Sequence, residues 1–137
     1  EIMPSLVGSE MCIRDRGDLY LRKGLAQQAR KIYNTLADKT HWALLMRLGL
    51  CAWAEGNLSA AEKYLERAVE TNSSRPEPLV YLATFYEQSG YYKTAVELIS
   101  KHTPALDANY DSEPYNLLRQ LAARLKIRGY EFQTSLK

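Results

Sequence analysis

Small and apolar residues recur between residues 45 and 68 with the spacing of two helical faces in succession. The first set lines one side of a helix, a glycine at position 56 interrupts it, and the second set lines another helix. The positions are Leu45, Leu48, Gly49 and Ala52 before the glycine, and Ala61, Leu65 and Ala68 after it. This order predicts a helix, a glycine turn and a second helix that runs back along the first.

The same pattern returns at Leu79, Leu82, Ala83, Tyr86, Gly90, Ala95 and Ile99. The turn glycines Gly56 and Gly90 are 34 residues apart. A helix–turn–helix unit of that period resembles the tetratricopeptide repeat. The resemblance implies an all-α fold, an antiparallel helix-pair solenoid of about three to four repeats that serves as a binding scaffold.

Gly24 and Gly129 extend the pattern in both directions, 32 residues before Gly56 and 39 residues after Gly90. A repeat domain is therefore predicted over residues 17–137. Its units are expected at about 17–40, 41–74, 75–111 and 112–137. We expect the first unit to be truncated at its start and the last at its end.

Polar residues before the apolar runs predict where several helices begin. Thr40 is predicted to cap the helix that follows it. Ser59 with Glu62, and Ser74 with Glu77, have the spacing of capping boxes. The predicted helices are 17–23, 26–38, 41–55, 58–70, 76–88, 92–101, 114–128 and 130–137.

Residues 1–16 follow no part of this pattern and resemble a translated sequencing adapter: a tagmentation primer, a sample index and a transposase end sequence. We therefore expect this segment to be non-native and to make no fixed contacts with the repeats. The chain has 18 basic and 16 acidic residues, of which the segment holds two and three, so the remainder carries a net charge of +3. That charge is too small to predict a nucleic-acid-binding face.

The sequence predicts no catalytic, cofactor-binding or metal-binding residues. His41 and His102 are its two histidines, and neither has a metal-ligand partner at helical spacing. It contains neither a nucleophile motif nor a glycine-rich phosphate loop. Outside the N-terminal segment Cys51 is the one cysteine, and such a residue on a packed helix is more often core than a reactive thiol. We therefore predict a protein that is not an enzyme and needs no cofactor.

Candidate partner-binding residues lie on the first helix of each pair. They form a stripe next to the packing positions, displaced from them by one residue. The resemblance implies that these first helices line the concave face of the solenoid. Apolar side chains occupy this stripe in the second unit, whereas the later units carry more polar ones. The predicted set is Met46, Leu50, Trp53, Val80, Thr84, Glu87, Arg119 and Lys126. Packing between neighbouring first helices is the alternative interpretation of these positions.

The leading functional hypothesis is a non-catalytic scaffold that binds a partner peptide or helix in its concave groove. One alternative is a pentatricopeptide-like RNA-binding repeat, which would carry polar code residues where this chain has Met46 and Leu50. The other is the helical arm of a larger enzyme or assembly factor. We expect a protein or peptide partner and no nucleic acid, and the visible sequence holds no membrane segment.

Overall fold

The computed structural model of the chain describes residues 10–36, 41–71, 76–101 and 113–130. Within these ranges the chain forms seven α-helices and no strand, which confirms the predicted all-α helical-repeat class. The helices are α1 (Glu10–Arg22), α2 (Ala26–Tyr33), α3 (Trp42–Ala54), α4 (Leu58–Thr71), α5 (Pro76–Gln88), α6 (Tyr92–Lys101) and α7 (Glu113–Ile127). We call α1, α3, α5 and α7 the leading helices and α2, α4 and α6 the returning helices.

The helices fall into two compact units, Glu1–Thr71 and Asn72–Lys137. In the first unit α1 packs against α2, α2 against α3, and α3 against α4. Its core is a cluster of buried side chains from α2, the residues after it, and α3: Ala29, Tyr33, Leu36, Leu44, Leu48 and Cys51. Ile13, Tyr20 and Leu21 of α1 are partly buried against this cluster. Helix α3 is buried on more than one side, as its nearly continuous apolar sequence predicts.

Small residues lie where α3 and α4 cross, as the spacing predicted. A Cβ atom added to Gly49 would lie 2.9 Å from Cγ of Leu65 and 3.2 Å from Cβ of Tyr64. On α4 Ala61, Leu65 and Ala68 are all fully buried. The two backbones can therefore approach closely only because residue 49 has no side chain.

The second unit repeats this arrangement with α5 packed against both α6 and α7. The buried positions on the first pair are Leu79, Leu82, Ala83, Ala95 and Ile99, and those on α7 are Leu118, Leu121, Ala122 and Leu125. Those on the first pair are predicted packing positions, and those on α7 repeat the spacing of Leu79, Leu82, Ala83 and Tyr86. His102, which occupies the place of Ala68, lies outside the described residues.

Each leading helix is followed by the same kind of turn, which contains a glycine with positive φ. These glycines are Gly24, Gly56, Gly90 and Gly129. At Gly56 φ is +85°. The amide of Asn57 donates to the carbonyl of Ala52, and the amide of Gly56 donates to the carbonyl of Trp53. This pairing satisfies carbonyl groups that the end of the helix leaves open. A residue with a Cβ would be strained in that conformation. The predicted interhelical turns are thereby confirmed.

Two of the predicted caps are different in the structure. Helix α4 is capped by Asn57, whose Oδ1 accepts from the amide of Ala60 at 3.3 Å, because the helix begins at Leu58 rather than after Ser59. Ser59 is therefore inside the helix, and the capping box with Glu62 is wrong. Helix α3 is capped by His41, whose Nδ1 accepts from the amide of Ala43 at 3.1 Å. Thr40 and Ser74 lie outside the described residues.

The N-terminal segment takes part in the fold over the stretch that the structure describes. Helix α1 begins at Glu10 and continues through Arg16 and Gly17 without a break. Ile13 is half-buried and packs against the core cluster of the first unit. The expectation that the segment makes no fixed contacts is therefore wrong for these residues. Its adapter-like origin and the unit boundaries stay predictions.

Candidate functional site

The apolar stripe on α3 is only partly accessible. Met46 is 8% exposed and belongs to the core, whereas Leu50 and Trp53 are half-buried. The burial of Met46 favours the packing interpretation at that position. Leu50 and Trp53 keep apolar surface on α3 that a partner could cover.

Trp42 adds a second tryptophan to the same face, and the sequence analysis overlooked it. It precedes Trp53 by 11 residues, just over three helical turns, which places both residues on one side of α3 with about 16 Å between them along the helix axis. The side chain is half-buried, and its ring stacks on that of His41 with 5.8 Å between the centroids. The 11-residue spacing was the signal that could have identified it.

The candidate residues on α5 are either buried or already engaged in contacts within the protein. Val80 is 9% exposed and therefore also part of the core. The hydroxyl of Thr84 donates to the carbonyl of Val80 at 2.7 Å, so its hydrogen is used within the helix. Glu87 is half-buried and pairs with an arginine of α7.

That pair joins the ends of α5 and α7. Nε and Nη2 of Arg124 each donate to a carboxylate oxygen of Glu87 at 2.9 Å. The hydrogen bonds from Arg124 hold the pKa of Glu87 below its ordinary value, and the same contact raises the pKa of Arg124. Glu87 is therefore an internal ion-pair partner first, and a partner protein would have to compete with Arg124 for it.

The two candidates on α7 are both cationic. Arg119 is half-buried, and its Nη1 donates to Oδ1 of Asn116 one turn earlier. Lys126 is exposed near the end of the helix. Predicted residues therefore come together within single leading helices.

A polar junction in the first unit was not predicted. Asp18 of α1 accepts from Nε of Arg47 at 2.7 Å and from its Nη2 at 3.1 Å, and the hydroxyl of Tyr33 also donates to this carboxylate. Burial alone would lower the pKa of Arg47, but the hydrogen bonds and the charge of Asp18 raise it above its ordinary value. Burial, and next the hydrogen bond to Asp18, raise the pKa of Tyr33.

The sequence held a signal for this junction. When the first two units are aligned on their turn glycines, Gly24 and Gly56, Gly17 corresponds to Gly49. Asp18 therefore occupies the position that Leu50 has in the next unit. A charge at that place, and Arg47 as the one charge within α3, marked both residues as departures from the apolar pattern. The junction joins α1 to α3.

Comparison with known families decides the class of protein. Two models described as tetratricopeptide repeat match residues 14–76 and residues 52–121. The chain belongs to the tetratricopeptide repeat family. A search of curated proteins finds no significant match. Tetratricopeptide repeats are generally protein–protein interaction modules, and the family is typically a non-catalytic scaffold.

Among the described residues no group of three or more His, Cys, Asp or Glu side chains could hold a metal ion. Cys51 is fully buried, and burial raises the pKa of its thiol to about 12, so the nucleophilic thiolate is scarce at neutral pH. No helix in the described ranges has both the length and the apolar character to cross a membrane.

Proposed function

We propose that this tetratricopeptide repeat chain is a non-catalytic interaction module that binds a partner peptide or helix on its leading helices. The proposal rests first on family membership, because stacked helical repeats create extended surfaces suited to protein partners. It rests next on the side chains that remain accessible on α3.

The observation that carries the proposal is the apolar stripe of Trp42, Leu50 and Trp53. Each of the three is half-buried on a leading helix. The chain has two tryptophans, and both lie on this stripe. Tryptophan is enriched among residues that dominate binding energy because a fixed indole covers a large apolar area. A peptide with one or two apolar anchors would fit this stripe.

The test compares partner binding by the intact chain and by Trp53→Ala. A partner captured by the full-length protein is titrated against both forms, and the variant is expected to bind more than about tenfold more weakly, because truncating a tryptophan hot spot costs about 2 kcal/mol or more. A Trp42→Phe chain leaves Trp53 as the single tryptophan. Its emission is expected to shift when the partner covers the ring.

Tyr91→Ala is the matched control. Tyr91 is 61% exposed in the turn before α6 and is not on the stripe, so its removal is expected to leave affinity unchanged. Equal binding by Trp53→Ala and the intact chain would reject the stripe as the site. A loss of helicity in Trp53→Ala, seen by circular dichroism, would show that Trp53 serves packing instead.

The two alternative hypotheses give different results. A pentatricopeptide-like repeat would bind single-stranded RNA with a sequence preference that depends on residues 46 and 50. A helical arm of a larger enzyme would be found next to a catalytic domain in the complete reading frame. Sequencing that frame and titrating RNA against the chain separate both hypotheses from peptide binding.

A further inference from the structure

Positive charge is concentrated at the C-terminal end of the second unit. Between residues 114 and 130 the chain has four basic residues and no acidic one, although the whole chain has a net charge of only +2. The four are Arg119, Arg124, Lys126 and Arg128, of which the last three are exposed. The rest of the chain is therefore slightly acidic, and this end of α7 is the part that would attract an anionic partner.

Two of these cations are held in fixed positions by other helices. The guanidinium of Arg128 lies 4.3 Å from the ring centroid of Tyr92 at the start of α6. The Tyr92 ring in turn lies 6.1 Å from that of Tyr130. An arginine on an aromatic face keeps the N–H groups at its edge for an acceptor.

Arg124 is fixed by Glu87 of α5. Nε and Nη2 each donate one N–H group to that carboxylate. A guanidinium has five N–H donors, so this contact uses two and leaves three, two of them on Nη1. The side chain of Arg124 is 51% exposed although it is paired. Its position is therefore set before any partner arrives.

Stabilisation of the helix end accounts for only part of this arrangement. Cations in the last turn of a helix interact favourably with its macrodipole, and Arg124 and Lys126 are placed to do so. Arg128 lies beyond Ile127, where α7 ends, and its guanidinium reaches a tyrosine of a different helix. Contact with Tyr92 does nothing for the dipole of α7.

We propose that Arg124, Arg128 and Tyr92 form a docking site for an extended acidic peptide segment, in which internal Asp or Glu side chains contact the two guanidinium groups. This inference rests on the proposed function and specifies the chemistry of the partner. Arg124 and Arg128 are four residues apart, so their backbones are separated by about 6 Å along the helix axis. An extended segment presents side chains on one face at intervals of about 6.6 Å, so two of its carboxylates span a turn of this length.

Charge and geometry favour a peptide over a nucleic acid. A phosphate backbone requires cations along an extended stripe, whereas the fixed cations here are confined to one helical turn. A peptide segment with two carboxylates needs no more cations than this turn supplies.

The test uses the full chain and short fluorescent peptides in anisotropy titrations at low and at physiological salt. The probe is a peptide of alternating glutamate and alanine, capped at both ends so that no terminal carboxylate contributes. The same peptide with glutamine in place of glutamate is its neutral control. A single-stranded oligonucleotide and vesicles containing phosphatidylserine are the competing anionic probes.

We expect the glutamate peptide to bind and the glutamine peptide not to bind. Arg124→Gln with Arg128→Gln is expected to weaken binding at least about tenfold at low salt, because two charge-assisted contacts are lost. Tyr92→Leu, which keeps both charges, is expected to weaken it about two- to fivefold, since the aromatic support of Arg128 is lost. Arg128→Gln alone leaves the Arg124–Glu87 pair in place and provides a milder variant if the double one unfolds.

Lys63→Gln with Arg67→Gln is the matched control. It removes two exposed cations with the same four-residue spacing from α4 and is expected to leave binding unchanged. Equal loss in both double variants would overturn the site, because it would show attraction to overall charge alone. Tighter binding of the oligonucleotide or the vesicles than of the peptide would also overturn it. A partner that needs Trp53 yet binds the Arg124/Arg128 variant normally would keep the proposed function and reject this inference.

Discussion

Two ion pairs join neighbouring leading helices, one in each unit, and they differ in their depth below the surface. In the first unit Arg47 of α3 meets Asp18 of α1, and the two side chains are 22% and 21% exposed. In the second unit Arg124 of α7 meets Glu87 of α5, and these side chains are 51% and 12% exposed, so the second pair is shallower on its arginine side. Both pairs have two short hydrogen bonds, so the difference between them lies in their surroundings.

The deeper pair belongs to a hydrogen-bond network. In the shallower pair, water can solvate the half-exposed arginine if the contact is lost. Asp18 accepts hydrogen bonds from Arg47 and also from the hydroxyl of Tyr33, and Nη1 of Arg47 donates to the carbonyl of Ala43 at 3.1 Å. Loss of this carboxylate leaves two partly buried donors without their acceptor. A polar group that loses its partner in such a place costs more than the hydrogen bond contributed.

Asp18→Ala is expected to lower the free energy of unfolding by about 2–4 kcal/mol, because it leaves the charge of Arg47 and the hydroxyl of Tyr33 unpaired in a partly buried site. Urea denaturation of the full chain, followed by circular dichroism, measures the loss. Tyr33→Phe is the milder variant, expected to cost about 0.5–1.5 kcal/mol, since it removes one donor and leaves the ion pair intact. If Asp18→Ala cost no more than the phenylalanine variant, the pair would not be the centre of the network.

The units also differ at the crossing of leading and returning helices, where the first has Gly49 and the second has Ala83. Gly49→Leu is expected to cost about 1–3 kcal/mol, because even a Cβ atom there would lie 2.9 Å from Cγ of Leu65. Ala123→Leu, at an exposed position on α7, is the control and is expected to be nearly neutral. Equal melting temperatures for the two leucine variants would mean that the crossing of α3 and α4 can accommodate a larger side chain at residue 49.

The exposed N-cap of α4 is expected to contribute to stability by an amount between those of the two ion pairs. Asn57→Ala is expected to cost about 0.5–2 kcal/mol, because the amide of Ala60 loses its acceptor at the start of α4. Ser59→Ala is expected to change the melting temperature little, since Ser59 lies within the helix. A larger loss in Ser59→Ala than in Asn57→Ala would reinstate the cap that the sequence suggested.

Periodicity alone predicted most of the fold. The turn glycines and the buried positions Gly49, Ala61 and Ala83 repeat at fixed spacing, so each copy of the pattern supports the others. Helices α5 and α6 have the bounds that the sequence predicted. The cap at Asn57 was missed although the predicted helix already began at residue 58, because Ser59 and Glu62 have the spacing of a capping box.

Contacts that occur once were harder to predict. Periodicity assigned Arg47 and Asp18 to separate helices but could not show that the two meet, because their contact depends on how α1 and α3 pack. The accessible stripe was predicted in part. Leu50 and Trp53 keep exposed surface, whereas Met46 is buried by packing that a single helix cannot reveal.

The shallower ion pair gives the smallest expected effect. Glu87→Gln is expected to change the free energy of unfolding by at most about 1 kcal/mol at neutral pH, because Arg124 is half-exposed and its pairing competes with water. Glu87 also lies in the last turn of α5, where a negative charge opposes the helix macrodipole. Removing the charge therefore relieves one repulsion while it breaks the pair.

The pH dependence of this small effect has a definite sign. Hydrogen bonds from Arg124 lower the pKa of Glu87 in the folded chain, so the unfolded chain binds that proton more tightly. The stability from Glu87 is therefore present above the ordinary glutamate pKa of about 4.3 and is lost as the pH falls through the lower folded value. Urea midpoints of the intact chain and of Glu87→Gln, measured between pH 7 and pH 3, are expected to converge on the acid side. A difference that grows with acidification would mean that Glu87 is more readily protonated in the folded chain, contrary to its contact with Arg124.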